Sequence, residues 1–284
     1  MKIKKYFAGD DIKLKYFSTR CEEDLNKGEV KSILMPENLK KMTDYQSKLY
    51  AEGKKGLIVV FQAMDTAGKD GVIKHVMTSL NPQGMYVASF KAPSGVEMSH
   101  DYLWRIHKHA PSRGCVTVFN RSHYEDVIIA RVHDLVKNQK LPDSMKHDGI
   151  WNDRYEQIRN YESYLHENGI HIVKFFLHLS KDEQRERLLS RIDEPEKNWK
   201  FSSADIHERK YWNDYQDAYE KVLQKTSTEK SPWYIIPADQ KWFSRYLVSE
   251  ILVEKFKDLN PEFPKLPEDE LDNLAKWREE LLND

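Results

Sequence analysis

Between Asp65 and Gly71 the chain reads Asp-Thr-Ala-Gly-Lys-Asp-Gly, which sets a lysine directly behind a loop glycine. Glycine lets backbone amides converge, and a lysine placed there neutralises the oxygens of a bound anion. The chemistry such a run supports is phosphate cradling by Thr66, Ala67, Gly68, Lys69, Asp70 and Gly71, with Lys69 as the charge. The general phosphate-loop pattern has Gly where this chain has Ala63 and Ser or Thr where it has Asp70. A carboxylate among phosphate-facing amides repels phosphate unless a cation lies between, which makes Asp65 a metal candidate. Asp126 follows an apolar strand, the place where a phosphate-loop enzyme carries its second metal-holding acid. Asp65 and Asp126 are therefore expected to share Mg²⁺, which takes oxygen ligands and retains water. Arg121 is an anion contact in the same segment. Arg187 and Arg191, four residues apart on one face of a predicted helix, precede a charged, Pro-containing stretch of the kind that makes a mobile lid. Their planar forks suit phosphate and the charge that shifts in its transfer.

These residues need elements to position them. Leu57–Phe61 is an apolar, β-branched run that passes straight into the loop, and Val72, Ile73, Val76 and Leu80 mark the inner side of a helix from Gly71 to Leu80. Further strands are predicted at Met85–Phe90, Cys115–Phe119, Ile170–Leu179 and Trp233–Pro237. Helices are predicted at Glu37–Glu52, about Ser99–His109, Asp126–Val136, Asn152–Asn168, Lys181–Ile192 and Asp205–Lys225, with an amphipathic helix after Pro237. Strands alternating with helices imply an α/β fold: a parallel sheet covered on both faces, with ligands bound beyond the strands' carboxyl ends. The Asp65–Lys69 loop and the Asn120–Asp126 cluster both fall there and can share one pocket. Residues 1–55 read as an N-terminal extension and helix that wraps the domain or serves contacts between subunits. Residues 56–258 form the main domain with a lid at about 193–208, and 259–284 form a tail with three prolines and a terminal helix.

Lys plus Arg number 45 against 46 Asp plus Glu, so the overall balance calls for neither nucleic acid nor an anionic membrane. Two distant cysteines, Cys21 and Cys115, suit a reducing cytosol, and no apolar run approaches the roughly 18 residues of a spanning helix. A cytoplasmic protein is expected. His107, His109, His123 and His133 lack partners at metal spacing and are read as structural or solvated. Arg105, Lys108 and Arg113 are read as a solvated face, and Trp199, Trp212 and Tyr215 as packing residues. No catalytic base is evident. That favours a phosphate acceptor, whose oxygen is already anionic near neutral pH.

The stretches QAMDTAGKDG (Gln62–Gly71), FKAPSGVEMSHDYLWRIHKHAPSRG (Phe90–Gly114), FNRSHYEDV (Phe119–Val127), SKDEQRERLLSRIDEPEKNWKFS (Ser180–Ser202) and TSTEKSPWYIIPADQKW (Thr226–Trp242) are far more specific than the loop pattern. On these stretches the chain resembles the polyphosphate kinase 2 family. The resemblance implies a P-loop kinase fold similar to thymidylate kinase: three layers, a parallel central sheet and a helical lid after the fourth strand. It implies Mg²⁺-dependent, reversible transfer from inorganic polyphosphate to nucleotides, with AMP, ADP and ATP as partners, and a homo-oligomer. By similarity Asp65 and Lys69 belong to the Walker A loop, and Arg121, Glu125 and Asp126 to the Walker B segment. Arg187, Arg191 and Lys200 match the lid region. Asp70 is typical of the family, and the pair Glu125-Asp126 is similar to the class that accepts both nucleoside mono- and diphosphates. Two other readings of the residues stay open: an ATP-dependent nucleotide or small-molecule kinase, and a nucleotide-binding regulator in which Lys69 and Asp126 only hold a ligand.

Overall fold

Strand β1 (Gly56–Ala63) is buried along its whole length, as its unbroken apolar run requires. A computed structural model describes residues 3–9 and 11–284. Around β1 lie β2 (Met85–Ser89), β3 (Val116–Asn120), β4 (Ile170–His178) and β5 (Trp233–Pro237). The sheet order is β2-β3-β1-β4-β5 and every pairing is parallel. The principal helices are α1 (Met35–Glu52), α2 (Lys69–Val76), α3 (Ile150–Glu167), α4 (Lys181–Asp193), α5 (Ser203–Glu208), α6 (Trp212–Thr226), α7 (Lys241–Leu259) and α8 (Glu268–Asn283).

The two-residue period of β1 feeds two cores. Leu57, Val59 and Phe61 face Met42 and Leu49 of α1, Val76 of α2 and Phe243, Leu247 and Ile251 of α7. Ile58 and Val60 face Ile158 and Leu165 of α3 and Val222 and Leu223 of α6. Helices on both faces of a parallel sheet are the expected α/β architecture.

The N-terminal segment wraps the domain. Leu14 donates its amide to Glu220 at 2.9 Å, Thr19 its hydroxyl to Asp239 at 2.9 Å, and Cys21 its amide to Gln240 at 2.8 Å. Some predicted helices are shorter or interrupted. Around Ser99–His109 only Trp104–His107 is α-helical. The Asp126–Val136 segment keeps Ile129–Val132, because Asp134 takes a left-handed φ of 50° that ends the helix. The Asp205–Lys225 segment is interrupted at Arg209–Tyr211, which separates α5 from α6. In α8 no residue is buried.

Candidate active site

The site stands on the ends of β1 and β3, whose register pairs Phe61 with Asn120. Beyond β1, the loop turns through left-handed φ angles at Thr66 (66°) and Gly68 (102°) before α2 begins at Lys69. Glycine takes this region freely, whereas β-branched Thr66 is strained there by about 1–3 kcal/mol. Ala63 is still regular strand, opposite Leu177, so its methyl sits ahead of the bend. That explains how Ala replaces the general pattern's first Gly.

Arg187 of α4 holds the strained loop. Its Nη1 donates to Thr66 O at 3.0 Å and Ala67 O at 2.9 Å. Its Nη2 donates to Ala238 O at 2.7 Å and Asp239 O at 3.3 Å, and Nε to Glu183 at 2.8 Å. Those bonds occupy all the donors of a guanidinium. Arg187 was expected to meet phosphate; the structure makes it a clamp on the loop, because every N–H is already committed. Gln184 adds a second tie from α4, donating to Asp65 O at 3.1 Å.

Lys69 Nζ donates to Ala63 O at 3.1 Å and lies over the loop mouth. Burial, and secondly the charge of Arg121, lower its ammonium below the ordinary lysine value. Arg121 itself has a left-handed φ of 63° and donates its amide to Phe61 O at 3.0 Å, which turns its side chain back across the end of β1. Its guanidinium bridges Asp65 Oδ1 at 2.9 Å and Glu125 Oε2 at 3.5 Å. Burial raises the Glu125 carboxyl above its ordinary value, although Arg121 and Lys69 oppose the shift. Asp70 accepts from Asn120 Nδ2 at 2.7 Å and thereby ties the start of α2 to the end of β3.

Asp126 faces another pair of arginines. Its Oδ2 is 3.9 Å from Arg105 Nη2, and its backbone carbonyl accepts from Arg154 Nη1 at 2.7 Å. Burial pushes its carboxyl up to about 6 despite both cations. The carboxylate that shares a partner with Asp65 is thus Glu125, and Asp126 belongs to a neighbouring cluster. Among the described residues no group of three or more His, Cys, Asp or Glu is gathered as a metal cage. The donor set nevertheless fits Mg²⁺, which is commonly held by one or two carboxylates together with substrate phosphates and water. Thr66 Oγ1, buried beside Asp65 without a partner, is a further oxygen of the right type.

Two further arginines, Arg105 and Arg154, are buried beside Asp126. Arg105 is not the solvated residue its sequence context predicts: it is 6% exposed, donates to Lys91 O at 2.8 Å and lies over the Phe90 ring. Arg154 is 3% exposed. Its signal was present: Arg154, Ile158, Glu162 and Leu165 share the helical spacing of an apolar stripe, so two charged residues sit on a buried face. Arg191 Nη1 donates to Asp205 Oδ2 at 2.7 Å and Lys200 O at 3.0 Å, tying the end of α4 to the 193–208 segment. The Lys200 ammonium lies over Trp199, which is 79% exposed and not the packing residue expected. Gly71 adjoins Arg245: a Cβ there would sit 3.6 Å from Arg245 Nη2.

The family model for polyphosphate kinase 2 matches residues 25–264. The chain belongs to the polyphosphate kinase 2 family. It is 48% identical to an ADP-polyphosphate phosphotransferase of Rhodopseudomonas palustris, over 99% of this chain and 100% of that one. To an AMP/ADP-polyphosphate phosphotransferase of Meiothermus ruber it is 47% identical, over 80% of this chain and 81% of that protein. The crystal structure of polyphosphate kinase 2 from Arthrobacter aurescens superposes with a TM-score of 0.90 at 38% identity, covering 98% of this chain and 95% of that one. The P-loop kinase fold expected from the sequence is the fold of this family.

Proposed function

We infer that the protein is a polyphosphate-dependent nucleotide phosphotransferase that moves a phosphoryl group between inorganic polyphosphate and AMP or ADP, with ATP a product of the second step. The observation that carries this is the set Asp65, Lys69, Arg121 and Glu125 at the ends of β1 and β3. Its two cations are balanced by its two carboxylates. A polyanionic donor therefore brings uncompensated charge, and a divalent cation must accompany it. Asp65 and Asp126 would hold Mg²⁺, with Thr66 Oγ1 near; when bound, the ion neutralises charge on the transferring phosphoryl group.

The chain's own residues supply position and charge. Loop amides and Lys69 hold the donor phosphate at the start of α2. Arg121 reaches the same oxygens by releasing Glu125, its longer contact. Arg105 and Arg154, beside Asp126, offer the acceptor phosphate a buried cationic wall. Transfer in line between two phosphate oxygens needs no base, since the acceptor oxygen is already anionic. Arg191 comes onto the transferred group when the 193–208 segment closes, with Lys200 following on the same segment.

The test is ³¹P NMR of polyphosphate mixed with the protein, Mg²⁺ and either AMP or ADP. Terminal polyphosphate signals shrink as new nucleotide β- or γ-phosphates appear. Turnover with ATP as donor, and none with polyphosphate, would instead mark an ATP-dependent kinase.

Two further features belong to this reading. Cys21 and Cys115 are both free, which suits the cytoplasm, and no helix among the described residues is long and apolar enough to cross a membrane. A homo-oligomer is supported by α8, whose Leu271, Leu274, Trp277, Leu281 and Leu282 are all exposed. Light scattering on the intact chain gives the subunit number.

A further inference from the structure

The turn that carries Arg121, Glu125 and Asp126 also carries Tyr124, whose side chain points the other way, into the interior. Tyr124 is fully buried, and its hydroxyl donates to Glu162 Oε1 of α3 at 2.8 Å. The Tyr124 hydroxyl oxygen in turn accepts from Lys174 Nζ at 2.9 Å. Lys174 is a fully buried lysine in the middle of β4; it also donates to Glu162 Oε2 at 2.6 Å and to Thr226 O at 2.8 Å, where α6 ends. An ammonium has three donors, and these three acceptors use them all. Burial works against the Glu162 charge, and Lys174 outweighs it, so the carboxyl sits below its ordinary value. His123 Nε2 approaches Glu162 at 3.8 Å, and Trp233 closes the cluster edge-on to the Tyr124 ring.

A buried ion pair of this kind is weak evidence for stability, because well-packed apolar residues of similar volume commonly serve as well or better. What apolar residues cannot do is fix the orientation of a polar turn. Helix α3 holds that turn twice, through Arg154 to Asp126 O and, two helical turns on, through Glu162 to the Tyr124 hydroxyl. Lys174 couples the second grip to β4, the strand beside β1.

We propose that Tyr124, Glu162 and Lys174 are positioning residues for phosphoryl transfer, a buried anchor that sets Glu125 and Asp126 relative to the Lys69 loop. The proposal rests on the function inferred above. None of the three meets substrate, and each acts through the turn.

The experiment compares the intact wild-type chain with Tyr124→Phe and with the double variant Lys174→Met/Glu162→Leu, measuring kcat, KM for ADP and polyphosphate, and melting temperature. Wild-type turnover with polyphosphate is the first reading, and its absence would defeat the functional assignment and not the anchor. Tyr124→Phe keeps the ring and the ion pair. It is expected to lower kcat about ten- to a hundredfold, with both KM values within about twofold and the fold retained. The double variant removes the charges together; it is expected to stay folded and still to show the kcat loss. Equal kcat in wild type and Tyr124→Phe would overturn the proposal. So would a double variant that is folded and fully active, and should Tyr124→Phe fail to fold, the double variant decides.

Discussion

Arg121 Nη2 lies 2.9 Å from Asp65 Oδ1, so a guanidinium from the end of β3 closes over a carboxylate from the end of β1. Both side chains remain about a third exposed, at 37% and 33%, and an ion pair so open to water contributes little to stability. Its consequence is geometric: the two loops are registered to each other before substrate arrives. Arg121→Met is therefore expected to lower kcat by about a hundredfold or more while shifting the melting temperature by only about 2 °C. Steady-state kinetics and a thermal melt on the same preparation check both halves.

Asp126 gives a pH prediction whose sign is fixed by its environment. Burial lifts its carboxyl from the ordinary 3.8 to about 6, so the folded chain binds a proton that the unfolded chain has released. The group is most favourable to folding below about pH 4, and that contribution is lost as pH rises through about 6. Without Mg²⁺, Asp126→Asn should be more stable than wild type at pH 8, by roughly 2–3 kcal/mol, with the advantage gone near pH 4. Urea melts at the two pH values measure it. An advantage independent of pH would contradict the assigned environment.

The clamp on the strained loop yields a stability prediction. Removing the guanidinium in Arg187→Met leaves the carbonyls of Thr66, Ala67, Ala238 and Asp239 without their donor. The expected cost is about 2–4 kcal/mol. Lysine should rescue little, since a single ammonium cannot span the positions that a planar fork reaches. Denaturant unfolding of Arg187→Met and Arg187→Lys gives the comparison.

Glu125 shares Arg121 with Asp65, next to the residue that faces Arg105 and Arg154. Glu125→Asn shortens the side chain by one methylene and removes the charge. It should depress one of the two phosphorylation steps, AMP to ADP or ADP to ATP, at least about tenfold more than the other. Equal losses with both acceptors would defeat a role for Glu125 in discriminating them.

Much of the frame was legible because it depends on local pattern. The run Leu57–Phe61 could only be a buried strand, and the loop that follows it had to lie at the sheet's carboxyl edge, where Asn120–Asp126 also ends. What was hidden depends on partners far apart in the chain. Nothing local distinguishes Arg187, whose donors are taken by carbonyls of two other loops, from Arg191, which bonds the segment that follows its own helix. Lys174 is masked by the apolar strand that contains it. Its partner Glu162 lies on a helix stripe whose polar members read as exceptions to the periodicity. Asp65 and Asp126 both end strands, and that much was local; the different cations beside them, Arg121 for Asp65 and Glu125, and Arg105 for Asp126, come from elsewhere in the chain.

The most direct test of the central claim is nucleotide chromatography after incubating the protein with AMP, Mg²⁺ and polyphosphate, with no ATP added. The account predicts ADP followed by ATP in wild type. It also predicts a fall of about a hundredfold or more in Lys69→Met, whose ammonium is the loop's charge on the donor phosphate. Wild type that yields neither product, or Lys69→Met that matches it, would contradict the account.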